Sequence, residues 1–158
     1  MNIDNDKNRD DVMRDTLKHV RGVGFLILEA VSKLNHRAMC HDDSKFSEEE
    51  FPIFVEQTSK LKGMTYASPE YDKSKMAMKP ALDHHYANNQ HHPEFWENDV
   101  NDMTLIDLIE MLADWKAATE RHHDGNLMVS IEKNADRFNY DNTLKNLLIR
   151  TAVSMGWI

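Results

Sequence analysis

Between His84 and Glu94 the chain reads HHYANNQHHPE, placing four of its nine histidines within nine residues. Neutral imidazole is a common ligand for divalent transition metals, so this density raises the question of a metal site. Density alone decides nothing, because a polar loop can be rich in histidine without chemical purpose. The test is whether distant parts of the chain supply partners, and three candidates stand out. His19 lies beside an apolar stripe one turn from Val23, His41 and Asp42 are adjacent, and Asp114 is embedded in the apolar run DLIEMLADWKAA. A His-Asp pair arises about once by chance at this composition, and a second one, His123-Asp124, sits beside a glycine turn. The company that His41-Asp42 keeps therefore carries the weight. Asp114 has Met111, Ala113, Trp115 and Ala118 as neighbours, and a desolvated carboxylate left unpaired there costs roughly several kcal/mol. A divalent cation is one partner that removes this cost, and an Arg or Lys salt bridge is another. His85 shares a helical face with Met78, Leu82 and Asn89, whereas His84, about 100° further round, faces solvent.

The order of these residues resembles the HD superfamily of metal-dependent phosphohydrolases, in which an early His, an adjacent His-Asp and a later Asp hold the metal. The resemblance implies His19, His41, Asp42 and Asp114 as ligands. HDDSKF, with Lys45 three residues after Asp42, looks like the HD-x-x-K version of the HD-GYP branch, which adds a further His and a His-His pair. His85 and His91-His92 fall in those slots, and His85 and His92 are the expected ligands of a second ion. His91 is left open between ligand, substrate contact and turn residue. HDDSKFSEEEF, HHYANNQHHPEFW and DLIEMLADWKAATER together are similar to a narrower HD-like family of small phage and bacterial proteins of unknown function, over roughly residues 17 to 150. There is no GYP segment and the motifs are closer together, so cyclic-dinucleotide activity is not expected to carry over.

One or two divalent ions are expected, and nitrogen and oxygen donors together suit Mn, Fe, Zn, Co or Ni. A site with an open position would polarise a phosphoryl oxygen and lower the pKa of bound water to about 7. Asp42 and Lys45 are the expected catalytic pair, with Lys45 neutralising charge on a phosphate. Asn89 and Glu94 are expected to orient histidines, while His91 and Lys116 are candidates to touch substrate. The functional expectation is a phosphohydrolase acting on a phosphomonoester or phosphoanhydride, most plausibly of a nucleotide, through metal-activated water. The alternative is a non-catalytic HD-like module that binds metal and a nucleotide or regulates a host protein.

These residues need elements to position them, and the patterning is helical throughout. A helix is expected over about 11–35, after a frayed polar segment at 1–10, with a buried stripe of Leu17, Val20, Gly24, Ile27, Val31 and Leu34. A short turn follows over 37–42. Ser47 and Glu50 read as a capping box opening a helix with Phe51, Phe54 and Val55 inward. Lys62 to Asp72 is loop. A helix over about 73–89 starts or bends at Pro80 and ends by Gln90, because His92 precedes Pro93. Thr104 and Asp107 cap a helix reaching about His122, with Leu105, Leu108, Ile109, Leu112 and Trp115 inward. Two last helices centre on Ile131, Ala135 and Phe138, and on Leu144, Leu147, Leu148, Ala152 and Met155. The fold class is all-α, a single HD-like domain of six or seven helices over residues 11–158.

Composition narrows the partners. A net charge of −8 over 158 residues argues against general nucleic-acid binding and favours a small phosphorylated ligand. Lysines 60, 62, 73, 75 and 79 make residues 60–79 locally basic, a segment expected to cover an anionic substrate. One cysteine, Cys40, excludes an internal disulfide, and no run approaches the ~18 apolar residues that span a bilayer. A cytoplasmic location is expected, in a bacterial host if the protein is phage-encoded.

Overall fold

The computed structural model describes residues 3–61, 73–74, 76–121 and 125–158. Among these residues there are six α-helices and no strand, so the chain is all-α. The helices are α1 (Ile3–Cys40), α2 (Phe51–Leu61), α3 (Lys79–Asn88), α4 (Leu105–Thr119), α5 (Leu127–Phe138) and α6 (Asn142–Ser154). Short 3-10 turns occupy Asp43–Phe46, Pro93–Phe95 and Asp99–Asn101. The chain divides into two units, Met1–Met39 and Cys40–Ile158.

The first unit is the body of α1, which starts at Ile3 instead of near Asp11 and continues past Asn35 to Cys40. No Gly or Pro follows Gly24 before Asp42, and Arg37, Ala38 and Met39 are good helix formers, so nothing stops the helix where a break was expected. A single helix offers no neighbour of its own unit against which to bury the stripe from Leu17 to Leu34.

In the second unit α4, α5 and α6 build the core. Leu108, Met111 and Leu112 of α4 cluster with Leu127, Ile131 and Ala135 of α5 and with Leu148 and Ala152 of α6. Each helix begins at a side-chain cap. Thr104 and Asp107 form a reciprocal capping box, the Asn126 side chain accepts from the Val129 amide, and Asp141 accepts from the Leu144 amide. Asn139 turns left-handed at φ 48° between α5 and α6, a conformation that asparagine tolerates better than most residues.

Several inward assignments shift. Leu105 and Ile109 on α4 are exposed while Met111 is buried, and Leu147 on α6 and Met155 just after it are exposed. On α4 the apolar stripe runs through 108, 111, 112 and 115. Glu110 and Asp114, one turn apart, therefore share the far side of the helix, away from the core. Phe51 and Val55 on α2 are also exposed, and Glu50 and Gln57 are the buried residues of that segment. Leu112 is 1% exposed at the centre of the core. Leu112→Ala is expected to cost about 2–5 kcal/mol in urea unfolding, and a loss below about 1 kcal/mol would contradict this packing.

Candidate metal centre

Asp42 is the pivot of the site. It ends α1 in the left-handed region at φ 61°, and its carbonyl accepts the Lys45 amide at 2.9 Å to open the 3-10 turn Asp43–Phe46. Helix α3 starts with Pro80 in its first turn and carries Ala81, His85 and Asn89 along one buried edge. The chain leaves α3 in extended conformation at Asn89, and the His92 amide returns to the Asn89 carbonyl at 3.1 Å. Pro93 holds His92 extended, at φ −95° and ψ 128°. This reversal sets His91 and His92 against His85.

Four ligand atoms converge there. His92 Nε2 lies 3.0 Å from His85 Nε2, and Asp42 Oδ1 lies 3.2 Å from His85 Nε2 and 3.4 Å from His91 Nε2. Corners of a tetrahedron with metal–ligand bonds near 2.0–2.1 Å stand about 3.3 Å apart, so the spacing matches ligands around one ion. Asp42 Oδ1 and His91 Nε2 are buried and lack a partner in hydrogen-bond geometry. The two face each other across 3.4 Å, an ion pair longer than a good hydrogen bond, and a cation between them would satisfy both.

A second group shares the same aspartate. His41 Nε2 lies 3.4 Å from Asp42 Oδ2 and 3.8 Å from Asp114 Oδ1. Asp42, His85, His91 and His92 thus form one potential metal group, and His41, Asp42 and Asp114 another. Asp42 offers Oδ1 to the first and Oδ2 to the second, the arrangement of a bridging carboxylate. A third grouping, His41, His91 and Glu110, has a different character. Glu110 Oε1 lies 2.9 Å from His41 Nδ1 and 3.2 Å from His91 Nδ1, behind both rings.

The charges are strongly coupled. His41 is pushed up to about 10, first by the Asp114 carboxylate facing its Nε2 and then by its hydrogen bond to Glu110. Burial would raise the Asp42 carboxyl, but His85, His91 and the Lys45 ammonium outweigh it and hold Asp42 well below the carboxylate range. Burial likewise would raise Asp114, and the facing His41 imidazole reverses this. His91 is disfavoured as a cation by burial, yet Asp42 and Glu110 leave it raised. His92 is lowered to about 3 by burial and by His91 and His85, which keeps its imidazole neutral. Mixed nitrogen and oxygen donors, two buried atoms without a well-formed hydrogen bond and an excess of carboxylate together fit a divalent transition-metal ion.

A family model matches residues 8–154. The chain belongs to the DUF5662 family, a family of unknown function. No curated protein and no solved structure matches it significantly.

In this DUF5662 member the second unit brings His41, Asp42, His85, His91, His92 and Asp114 together. His19 stands on α1 in the first unit, whereas all the groups above lie in residues 40–158. Lys45 does not pair with Glu48 or Glu49; its ammonium lies 2.5 Å from Asp42 Oδ2. Asn89 packs against His85, donating to its carbonyl and to Ser44 Oγ at 2.7 Å each. Glu94 is paired with Arg137, and Lys116 with Glu120 on its own helix at 3.2 Å. His84, expected to face solvent, is half-buried, because Glu50 Oε1 holds its Nδ1 at 2.8 Å. Within the lysine-rich stretch, residues 62–72 and 75 lie outside the described residues, as do His122, His123 and Asp124. No described helix is long and apolar enough to cross a membrane.

Two carboxylates at the site had no assigned role there. Glu110 carried a readable signal, since it precedes Asp114 by one turn in an apolar helix. Glu50 did not, because SEEE before a helix matches a capping box. Ser47 Oγ does accept the Glu50 amide at 3.2 Å, but the Glu50 carboxylate turns inward to the histidines.

Proposed function

We propose that this protein is a metal-dependent phosphohydrolase of HD type, acting on a phosphomonoester or phosphoanhydride of a small molecule, with a nucleotide as the favoured substrate. The observation that carries the reading is the convergence of Asp42 Oδ1 with the Nε2 atoms of His85, His91 and His92 at 3.0–3.4 Å, where Asp42 Oδ1 and His91 Nε2 are buried without a well-formed hydrogen bond. Bound there, one or two ions of Mn, Fe, Zn, Co or Ni would polarise a phosphoryl oxygen and acidify a water. Asp42 serves both ligand groups through its two oxygens. His85 and His92 present Nε2 from the α3 edge, and Asp114 closes the far side with His41. Lys45, which lies on Asp42 and reaches solvent, is the cation placed to meet a phosphate and neutralise charge on it. The order of these residues along the chain supports the HD reading, and the net charge of −8 favours a small substrate over a polynucleotide.

The alternative is a module that binds metal and nucleotide without turnover. It draws support from Lys116 and Arg137, whose charges are spent on Glu120 and Glu94. The deciding experiment reconstitutes the protein with each metal and assays phosphate release from nucleoside mono-, di- and triphosphates and from cyclic dinucleotides. Turnover with at least one metal, lost in Asp42→Ala, is the expected result. Turnover that survives Asp42→Ala would sink the proposal, and tight nucleotide retention without turnover would select the binding module.

A further inference from the structure

Glu50 is fully buried, 0% exposed, at the start of α2. Its two oxygens reach two histidines: Oε1 lies 2.8 Å from His84 Nδ1 and Oε2 lies 3.0 Å from His85 Nδ1. A buried carboxylate is costly, and an apolar residue of the same volume would usually hold this place at lower cost. Helix capping does not account for it, since the Glu50 side chain faces His84 and His85. What the carboxylate does is orient imidazole.

We propose that Glu50 is a positioning residue for metal binding, locking His85 with its proton on Nδ1 and its lone pair on Nε2; this rests on the metal reading above. An ionised carboxylate only accepts hydrogen bonds, so the Nδ1 that faces it must carry the proton. Ser44 Oγ at 3.0 Å and Asn89 Nδ2 at 3.1 Å also lie near Nδ1. The Asn89 amide makes its shorter contacts with the His85 carbonyl and Ser44 Oγ, at 2.7 Å each. The Ser44 hydroxyl can accept the Nδ1 proton as well as donate, so the acceptor-only carboxylate decides the tautomer. With Nδ1 protonated, Nε2 is the nitrogen left to offer a lone pair to an ion held between it, Asp42 Oδ1 and His92 Nε2. His84, one-third exposed, occupies the other oxygen of Glu50 from the outer side. Glu110 repeats the device on the opposite wall, with His41 and His91 both turned by their Nδ1 atoms toward it. Glu50 and Glu110 thus turn three Nε2 atoms inward, those of His85 and His91 toward Asp42 Oδ1 and that of His41 toward Asp42 Oδ2 and Asp114. A carboxylate behind a ligating imidazole also raises its donor strength.

The test titrates cobalt(II) into metal-free wild type, Glu50→Gln and, as a surface control, Glu56→Gln, following absorbance and the number of ions bound. Glu50→Gln is expected to keep the helical circular dichroism and to weaken one ion by about ten- to a hundredfold, with an altered cobalt spectrum. Glu56→Gln is expected to match wild type. Wild-type affinity and spectrum in Glu50→Gln would overturn this inference while leaving the metal reading intact. A wild type that takes up no ion overturns both. If Glu50→Gln does not fold, nitrogen-15 NMR of zinc-loaded wild type decides: a protonated Nδ1 and metallated Nε2 on His85 support the proposal, and metal on Nδ1 overturns it.

Discussion

An Asp42→Asn variant is expected to lose at least about 10³-fold in kcat/KM on any phosphate ester that the wild type hydrolyses, equivalent to about 4 kcal/mol of transition-state stabilisation. It should also retain neither of two ions. Both effects follow from one carboxylate facing two ligand groups, Oδ1 toward His85 and His91 and Oδ2 toward His41. An amide keeps one neutral acceptor and loses the charge on which both groups depend. Asparagine is the more informative replacement because Asp42 sits at φ 61°. Asparagine tolerates that region, whereas alanine adds about 1 kcal/mol or more of backbone strain. Folding can thus be separated from chemistry by comparing the two variants in circular dichroism and metal analysis. A chain in which Asp42→Asn still binds two ions would show that Asp42 does not bridge.

Metal uptake is expected to release protons, and apparent affinity should climb with pH. In the metal-free chain His41 is pushed up to about 10, so at pH 7 an ion must displace its proton. Each displaced proton gives about a tenfold rise in affinity per pH unit, up to the pKa of the group that loses it. His92, lowered to about 3, contributes no such term. The stability of the metal-free chain runs the other way. His41 is raised above its unfolded value of 6.5, so its contribution is fully present below pH 6.5 and is lost as pH rises through about 10. Calorimetry of metal binding in buffers of different ionisation enthalpy measures the released protons. A heat independent of buffer would mean that His41 is not a ligand or is already neutral.

Much of this was legible before any coordinates. Thr104 with Asp107, Asn126 and Asp141 are helix starts that act over three residues, so local sequence is enough to see them. Pro93 constrains only His92, and the extended backbone there was equally local. Asp114 could be singled out as a carboxylate among apolar helical neighbours and His85 by its half-buried face. His92 was reached through the order of ligands that the family resemblance implies. Rotation about a helix axis was harder. Leu105 and Ile109 fit an apolar stripe as well as Met111 does, and only tertiary neighbours decide between them. Glu50 was hidden for a related reason, since a glutamate after Ser47 satisfies a local rule while its side chain answers to His84 and His85, 34 and 35 residues away. Lys45 rests on Asp42, the nearest concentration of negative charge, a pairing that its position three residues on made local and readable.

The contact between His41 and Glu110 joins positions 69 residues apart, and the ligand groups gather the end of α1, the edge of α3, the turn after it and the far side of α4. An ion held there would act as a reversible cross-link, closing loops much as a disulfide does and removing disorder from the unfolded chain. A protein with a single cysteine would gain by this route a covalent-like tie that a chelator can cut. Removing the ion should then loosen the segment from Asp42 to Pro93 before the core of α4, α5 and α6 gives way, with hydrogen exchange accelerating first in α2 and α3.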